Sequence, residues 1–208
     1  AGDIFTGTFI SDEFTGEPAI QAMNRIGYTA GTIGNHEFDY SQAVLRTRLR
    51  QARFPLLSAN LVTPIAEIQK YKIVKVKGIR FGIIGLTTGE VVTTTHPKNL
   101  GGISVIDIVR AVELVLPEVR RKSDFIILTA HLTAAEEKRV AAAFPGIRLI
   151  IGGHVHDALG PFSLGQTIVA KTGNAGRFVG RVDVDFDDRS VTHIEAKLIP
   201  VKNVPPAA

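Results

Sequence analysis

Several apolar segments of this chain end directly in side chains that can bind a metal ion or transfer a proton. Each segment has the length and the β-branched composition of a buried strand, and helical segments separate the strands. In open α/β sheets, ligands gather at the carboxyl ends of the strands. We therefore expect one site, built from residues that follow four different strands. These residues are Asp3, Asn35, His36, His131, His154 and His156.

The turn at residues 33–40, Ile-Gly-Asn-His-Glu-Phe-Asp-Tyr, holds four of the chain's polar side chains in one short segment. Asn35 can offer an amide oxygen to a cation, and His36 can act as a proton donor or an electrophile. Asp39 follows His36 by three residues, which is close enough to hydrogen-bond the imidazole and fix its tautomer. A polar turn without a function is the alternative for this segment alone. It does not explain the similar residues at the other strand ends.

Imidazole, carboxylate and amide oxygen together suit Zn, Mn, Fe or Ni better than Ca. His154 and His156 point to the same side of an extended segment, so both rings can reach one site. Each residue also has a simpler interpretation. Asp3 could cap a loop, and His131 could be a surface residue ahead of a helix. The joint occurrence of these residues at strand ends favours the metal site.

Composition narrows the function classes. The 208 residues include no cysteine, which excludes thiolate ligands, disulfides and a cysteine nucleophile. The formal net charge is +4, without the basic run or aromatic platform typical of proteins that bind nucleic-acid polymers. No apolar segment has the length of a membrane span. With 45% hydrophobic and 21% charged residues, the chain is expected to form one large globular domain.

The periodicity of apolar residues predicts strands and helices of an α/β fold. Thr133 and Glu136 form a capping-box pattern at the start of one helix. Pro117 is expected to bend another helix or to separate a second turn. The last three predicted strands are expected to be antiparallel. The predicted helices are 18–26, 42–53, 105–119 and one from 134, and the predicted strands are 28–33, 56–61, 71–76, 79–86, 124–129, 147–151, 167–172, 177–186 and 190–198.

The order of the motifs resembles that of the calcineurin-like metallophosphoesterases. The matching motifs are Gly2-Asp3, Gly34-Asn35-His36-Glu37, Ala130-His131 and Gly153-His154-Val155-His156. Segments 58–61 and 171–177 narrow the resemblance to the catalytic domain of the 5′-nucleotidase family, which includes periplasmic UDP-sugar hydrolases and 2′,3′-cyclic phosphodiesterases. The resemblance covers nearly the whole chain. It implies an α/β/β/α sandwich with two mixed β-sheets flanked by helices.

The resemblance also implies two divalent cations, among Zn, Mn, Fe, Co or Ni, and a role for each site residue. Asp3 matches the carboxylate that bridges the two cations, and His156 matches a ligand of the second. His36 matches the catalytic histidine near the phosphoryl group, and Asp39 matches its partner. The residues that match ligands of the first cation are Asp3, Asn35, His131 and His154.

The implied activity is hydrolysis of nucleotides or other small phosphoesters, with a metal-activated water attacking phosphorus. The implied location is periplasmic or extracellular. Two alternatives remain open on the sequence. A thiosulfohydrolase-like dimanganese enzyme could use the same scaffold, and a non-catalytic metal-binding remnant could retain the same motifs.

Two features of the family pattern are not in this sequence. The Asp-x-His motif of the family's first strand is missing, and so is the family's C-terminal domain. We therefore expect residues 1–199 to be a catalytic domain without its first strand, and residues 200–208 to begin a linker. A missing central strand would leave a neighbouring strand unpaired, which favours self-association.

Overall fold

The computed structural model describes residues 1–156 and 160–202. Within these ranges the chain forms six α-helices and twelve β-strands. The helices are α1 (Phe9–Glu13), α2 (Glu17–Ile26), α3 (Gln42–Gln51), α4 (Val91–Thr94), α5 (Ile108–Lys122) and α6 (Ala134–Ala143). The strands are β1 (Gly31–Thr32), β2 (Leu56–Leu57), β3 (Leu61–Val62), β4 (Tyr71–Val76), β5 (Ile79–Thr87), β6 (Ser104–Val105), β7 (Phe125–Leu132), β8 (Leu149–His154), β9 (Phe162–Leu164), β10 (Thr167–Lys171), β11 (Phe178–Asp187) and β12 (Ser190–Pro200).

Six strands form one mixed sheet in the order β4-β5-β7-β8-β10-β9. The four central strands β5, β7, β8 and β10 are parallel, and an antiparallel strand closes each edge. The carboxyl ends of the parallel strands therefore lie along one side of the sheet. None of the helices in the described part of the chain is long and apolar enough to span a membrane.

Helices α5 and α6 cover one face of this sheet. Side chains at alternate strand positions, such as Ile84 and Leu128, point to this face and pack with Val112 of α5 in the main hydrophobic core. The capping box predicted at the start of α6 is present, because the Thr133 and Glu136 side chains each bind the other's backbone N–H. The cap fixes the point at which the chain turns from β7 into the helix.

The opposite face of the sheet carries the short parallel pair β1–β2. Gly85 of β5 lies directly against Leu57 of β2, where a Cβ atom would overlap the Leu57 backbone. A hydrogen bond between the hydroxyl groups of Thr32 and Thr129 joins β1 to β7. Helices α2 and α3 cover the outside of the pair. The resulting layers confirm the predicted α/β fold with sheets flanked by helices.

The second β layer consists of two-stranded pairs rather than one continuous sheet among the described residues. The long hairpin β11–β12 packs against the main sheet, and Phe186 stacks edge-on against Phe81 and Phe125. The hairpin turns at Asp188 and Arg189, which both have left-handed backbone angles. Its antiparallel pairing is as predicted.

The structure corrects two expectations about secondary structure. Strand β10 is parallel to β8 rather than antiparallel, and its antiparallel partner β9 was not predicted. Helix α5 continues through Pro117 to Lys122, although proline cannot donate the helical hydrogen bond. Val115, Leu116 and Val119 are buried on either side of Pro117 and hold this part of the helix against the sheet.

An ion pair links the start of β5 to the residue that precedes the neighbouring strand β7. Asp124 accepts two hydrogen bonds from the Arg80 guanidinium, at 2.7 and 3.1 Å, and one from the Arg80 backbone N–H at 2.8 Å. These bonds lower the pKa of Asp124 to about 2. The Asp124 carboxylate therefore stabilises the folded chain above its unfolded pKa of roughly 3.9, and this contribution is lost as the pH falls towards 2.

We expect Asp124→Asn to lower the free energy of unfolding at pH 7 and to lose less stability than the wild type between pH 5 and pH 2. Urea unfolding at several pH values measures both effects. Asp183→Asn is the matched control, because Asp183 pairs with Arg181 of the same strand. This ion pair therefore does not join two strands. Parallel pH profiles for Asp124→Asn and the wild type would contradict the prediction.

Candidate metal centre and active site

A buried glutamate joins the first residues of the chain to the turn at residues 33–40. Glu37 is 1% exposed, and its carboxylate accepts hydrogen bonds from the backbone N–H groups of Asp3, Ile4 and Gly34. Burial and the neighbouring charge of Asp3 raise the pKa of Glu37. Three backbone donors are typical of a carboxylate that holds two loops in a fixed relative position.

The turn approaches Asp3 so closely that only glycine fits at position 34. A Cβ atom on Gly34 would overlap the backbone and side chain of Asp3. The backbone N–H of His36 donates to the Asp3 carboxylate at 3.0 Å. Asp3 itself has a left-handed φ of 55°, which turns its carboxylate towards the ends of β7 and β8.

Four donor groups meet at these strand ends. The Nε2 atom of His131 lies 3.0 Å from an Asp3 carboxylate oxygen, 3.1 Å from the Asn35 amide oxygen and 3.2 Å from Nδ1 of His154. His131 and Asn35 are 1% and 3% exposed, so water solvates neither of them freely. We call these residues the ligand cluster: Asp3, Asn35, His131 and His154.

The outer nitrogen of each imidazole in the ligand cluster has an oxygen acceptor. Nδ1 of His131 lies 2.7 Å from the carbonyl oxygen of Ala1, and Nε2 of His154 lies 2.9 Å from a Glu90 carboxylate oxygen. When a neutral imidazole carries its one proton on the outer nitrogen, it donates to this acceptor and leaves the inner nitrogen free to bind a cation. The inner nitrogens of both rings then direct lone pairs at the same point.

The ligand cluster therefore fits a divalent cation. Two imidazole lone pairs and a carboxylate oxygen, from His131, His154 and Asp3, lie within 4.8 Å of one another, and the Asn35 amide oxygen faces the same point. A proton on Nε2 of His131 links that ring to the Asp3 carboxylate, and a bound cation would take the place of this proton. Nitrogen and oxygen donors of this kind suit a borderline transition metal.

Electrostatics keeps Asp3 available as a ligand. Burial alone would raise the pKa of Asp3, but the hydrogen bond and charge of His131 and the hydrogen bond from the His36 N–H lower it overall. The carboxylate is therefore ionised at neutral pH. An ionised oxygen ligand strengthens the attraction of the ligand cluster for a cation.

His36 and Asp39 form a hydrogen-bonded pair beside the ligand cluster, as their spacing predicts. Nδ1 of His36 lies 2.6 Å from an Asp39 carboxylate oxygen, and the imidazole side chain is 46% exposed. Partial burial alone would lower the pKa of His36, but the bond to Asp39 and the charges of Asp3 and Asp39 raise it overall. The pair favours a protonated, solvent-accessible imidazole.

Known proteins resemble this chain in both sequence and structure. A family model for the calcineurin-like phosphoesterases matches residues 1–158, which include all the strand ends described above. The chain belongs to this family. The family explains why carboxylate, amide and imidazole groups converge at the strand ends, since phosphoesterases of this kind depend on divalent metals.

Two of the similar proteins are named 5′-nucleotidase. The chain is 31% identical to a 5′-nucleotidase from Vibrio cholerae, in an alignment that covers 96% of this chain and 42% of the relative. It is 27% identical to a 5′-nucleotidase precursor of known structure from Thermus thermophilus, with a TM-score of 0.83 and coverage of 96% and 44%. The chain thus spans less than half the length of the relatives that it matches.

A different hydrolase has the same fold. The sulfate thiohydrolase SoxB from Thermus thermophilus superposes with a TM-score of 0.86 over 96% of this chain and 38% of its own, at 21% identity. This likeness concerns the fold alone.

The structure does not bring every predicted phosphoesterase residue into the ligand cluster. His156 is exposed, and the group of donor atoms that closes on one point in the described ranges does not include it. Residues 157–159, which follow it, lie outside the described part of the chain. The assignment of His156 to a second cation stays a prediction.

Two carboxylates near the ligand cluster were not predicted as site residues. Glu37 belongs to the turn at residues 33–40, and Glu90 follows the buried strand β5 by three residues. The position of Glu90 after a strand end is the signal in the sequence that could have indicated it. For Glu37 the signal is a charged residue placed between Gly34 and the buried Phe38.

Proposed function

We propose that this chain is the catalytic part of a metal-dependent phosphoester hydrolase that acts on nucleotides. The observation that carries the proposal is the convergence of carboxylate, amide and imidazole groups in the ligand cluster, next to the His36–Asp39 pair. The relatives named 5′-nucleotidase support nucleotides as the substrate class. We assign the ligand cluster to the metal, and His36 with Asp39 to catalysis.

The ligand cluster would hold a divalent cation, which would supply polarisation of phosphate oxygens and activation of water for attack on phosphorus. Asp39 holds Nδ1 of His36, so Nε2 of the same ring is left to donate a proton or a hydrogen bond to the phosphoester. A protonated imidazole at this point also stabilises the negative charge that develops on the phosphoryl oxygens. Asp39 thus orients the ring and favours its charged form.

The first test uses Mn²⁺, Zn²⁺ or Co²⁺ and follows hydrolysis of AMP to adenosine and inorganic phosphate, of UDP-glucose to UMP and glucose 1-phosphate, and of 2′,3′-cyclic AMP to adenosine monophosphate. We expect metal-dependent hydrolysis of at least one of these substrates, abolished by chelation. Release of sulfate from S-sulfocysteine, without hydrolysis of these nucleotides, would instead favour the thiosulfohydrolase. A chain that binds metal tightly and hydrolyses none of these substrates would support the non-catalytic alternative.

The second cation implied by the family resemblance is part of the same proposal, with Asp3 and His156 among its ligands. We expect the chain to retain about one cation after exhaustive dialysis and to bind a second one more weakly, because affinity follows the number of protein ligands. Elemental analysis of the dialysed chain measures the number of retained cations, and titration with Mn²⁺ measures the affinity for the second cation. Two cations retained per chain would contradict the prediction.

We also propose a periplasmic or extracellular location, supported by the family resemblance. The absence of cysteine is compatible with an oxidising compartment. Fractionation of the native host, with a cytoplasmic marker enzyme as control, tests the location. Recovery of the protein with the cytoplasmic marker would overturn it.

A further inference from the structure

The segment that follows β5 places a carboxylate against one of the metal-binding histidines. The Glu90 carboxylate lies 2.9 Å from Nε2 of His154, on the side of the ring that faces away from the ligand cluster. We propose that Glu90 is a positioning residue, which fixes the tautomer and orientation of His154 so that Nδ1 can bind the metal. This inference rests on the metal centre of the proposed function.

His154 needs such a partner more than His131 does. The outer nitrogen of His131 is held by a backbone carbonyl, and its ring is 1% exposed. The His154 side chain is 18% exposed, and its residue is the last of β8, with a left-handed φ of 74°. The strand no longer restrains the chain beyond this point, so the ring depends on side-chain contacts for its orientation.

The ring of His154 has two competing places for its proton. A proton on Nε2 makes a charge-assisted hydrogen bond to Glu90, and leaves Nδ1 free as a ligand. A proton on Nδ1 could instead be donated to Nε2 of His131, 3.2 Å away, which blocks both inner nitrogens. Glu90 therefore decides between a ring arrangement that can bind a cation and one that cannot.

Glu90 can act in this way only if its backbone is fixed, since its side chain is 50% exposed. The backbone N–H of Gly89 donates to one carboxylate oxygen of Glu136 at 2.8 Å, and the Thr88 hydroxyl donates to the other at 2.9 Å. The backbone N–H of Thr133 donates to that second oxygen too, also at 2.9 Å. Glu136, which takes part in the capping box of α6, thus also fixes the segment 88–90.

The Glu90 backbone is fixed from its other side as well. Glu90 directly precedes the short helix α4, and its carbonyl oxygen accepts hydrogen bonds from the hydroxyl groups of Thr93 and Thr94, at 2.9 and 2.8 Å. The Glu90 N–H donates to the Thr88 hydroxyl at 3.2 Å. A carboxylate on a backbone held in this way can aim at one nitrogen of a neighbouring ring.

The test compares Glu90→Ala and Glu90→Gln with the wild type, in the metal-free chain and in titrations with Mn²⁺ and Zn²⁺. Long-range ¹H–¹⁵N correlation spectra at pH 8 report which nitrogen of His154 carries the proton. We expect the proton on Nε2 in the wild type and a shift towards Nδ1 in Glu90→Ala. Metal affinity should fall about 10–100-fold in Glu90→Ala, the usual scale for loss of an outer-shell partner, and less in Glu90→Gln.

Glu113→Ala is the matched control, because Glu113 is similarly exposed and pairs with Arg110 on α5, away from the ligand cluster. Glu113→Ala should change neither the tautomer of His154 nor the affinity for metal. An unchanged His154 tautomer together with unchanged metal affinity in Glu90→Ala would overturn the inference and leave the proposed function intact. A wild type that binds metal and hydrolyses no nucleotide would overturn the proposed function, while the tautomer and affinity data would still support the role of Glu90.

Discussion

Replacing His36 by alanine is expected to lower the turnover of a nucleotide substrate by about 10²–10⁴-fold while metal content stays nearly unchanged. The His36 ring is held by Asp39 and not by the ligand cluster, so its loss removes a proton donor and a positive charge rather than a metal ligand. Phosphate release under saturating substrate measures the turnover. Elemental analysis of the same dialysed samples measures the metal.

Two further variants serve as comparisons for His36→Ala. Asp39→Asn keeps the His36 ring but removes the negative charge that raises the pKa of His36. We therefore expect a smaller loss of turnover than in His36→Ala. As the pH rises, the activity of Asp39→Asn should begin to fall at a lower pH than the activity of the wild type. His193→Ala removes an exposed histidine on β12 and should leave turnover unchanged. Full activity in His36→Ala would show that the pair has no role in catalysis.

Replacing His131 by alanine is expected to weaken metal binding by more than the 10–100-fold typical of an outer-shell change, and to abolish metal-dependent hydrolysis. The Nε2 atom of His131 lies within 3.2 Å of a donor atom from each other member of the ligand cluster. Competition with a chromophoric chelator measures the affinity. If His36→Ala and His131→Ala lost equal amounts of metal, His36 would be a ligand and the division of roles would be wrong.

His131 is also buried, so its removal could unfold part of the chain. Thermal unfolding of the metal-free forms separates the two effects. We expect His131→Ala to unfold cooperatively but at a lower temperature, since a buried ring that bonds the Ala1 carbonyl is lost. His131→Gln retains a donor for that carbonyl and most of the side-chain volume. Metal loss in a folded His131→Gln variant would therefore identify the ligand role.

The arrangement of the ligand cluster could be predicted because buried parallel strands are continuous apolar segments that end at one edge of a sheet. β7 and β8 are neighbours in the sheet, so His131 and His154 meet there as predicted. The capping box at Thr133 could be predicted for a similar reason, because both partners lie within one turn of the chain. Such features depend on local sequence and on a general rule of topology.

Other features depend on contacts between distant segments, which the sequence pattern does not contain. The apolar segment of β10 would suit a parallel or an antiparallel neighbour equally well, and the prediction of antiparallel pairing is wrong. The contact of Glu90 with His154 joins residues 64 positions apart, and Glu136, a third distant residue, binds the segment 88–90 that carries Glu90. The sequence shows that Glu90 follows a strand end, but it does not show that the ring of His154 is its partner.

The left-handed backbone angles of Asp3 and His154 link the metal to the folding equilibrium. Non-glycine residues in this region cost on the order of 1–3 kcal/mol each, and here two of them belong to the ligand cluster that we propose binds one ion. A cation that binds the folded chain selectively offsets that cost by mass action. The metal would then act as a folding cofactor as well as a catalytic one. The concentration of free metal around the chain would influence how much of it survives proteolysis, before any substrate is hydrolysed.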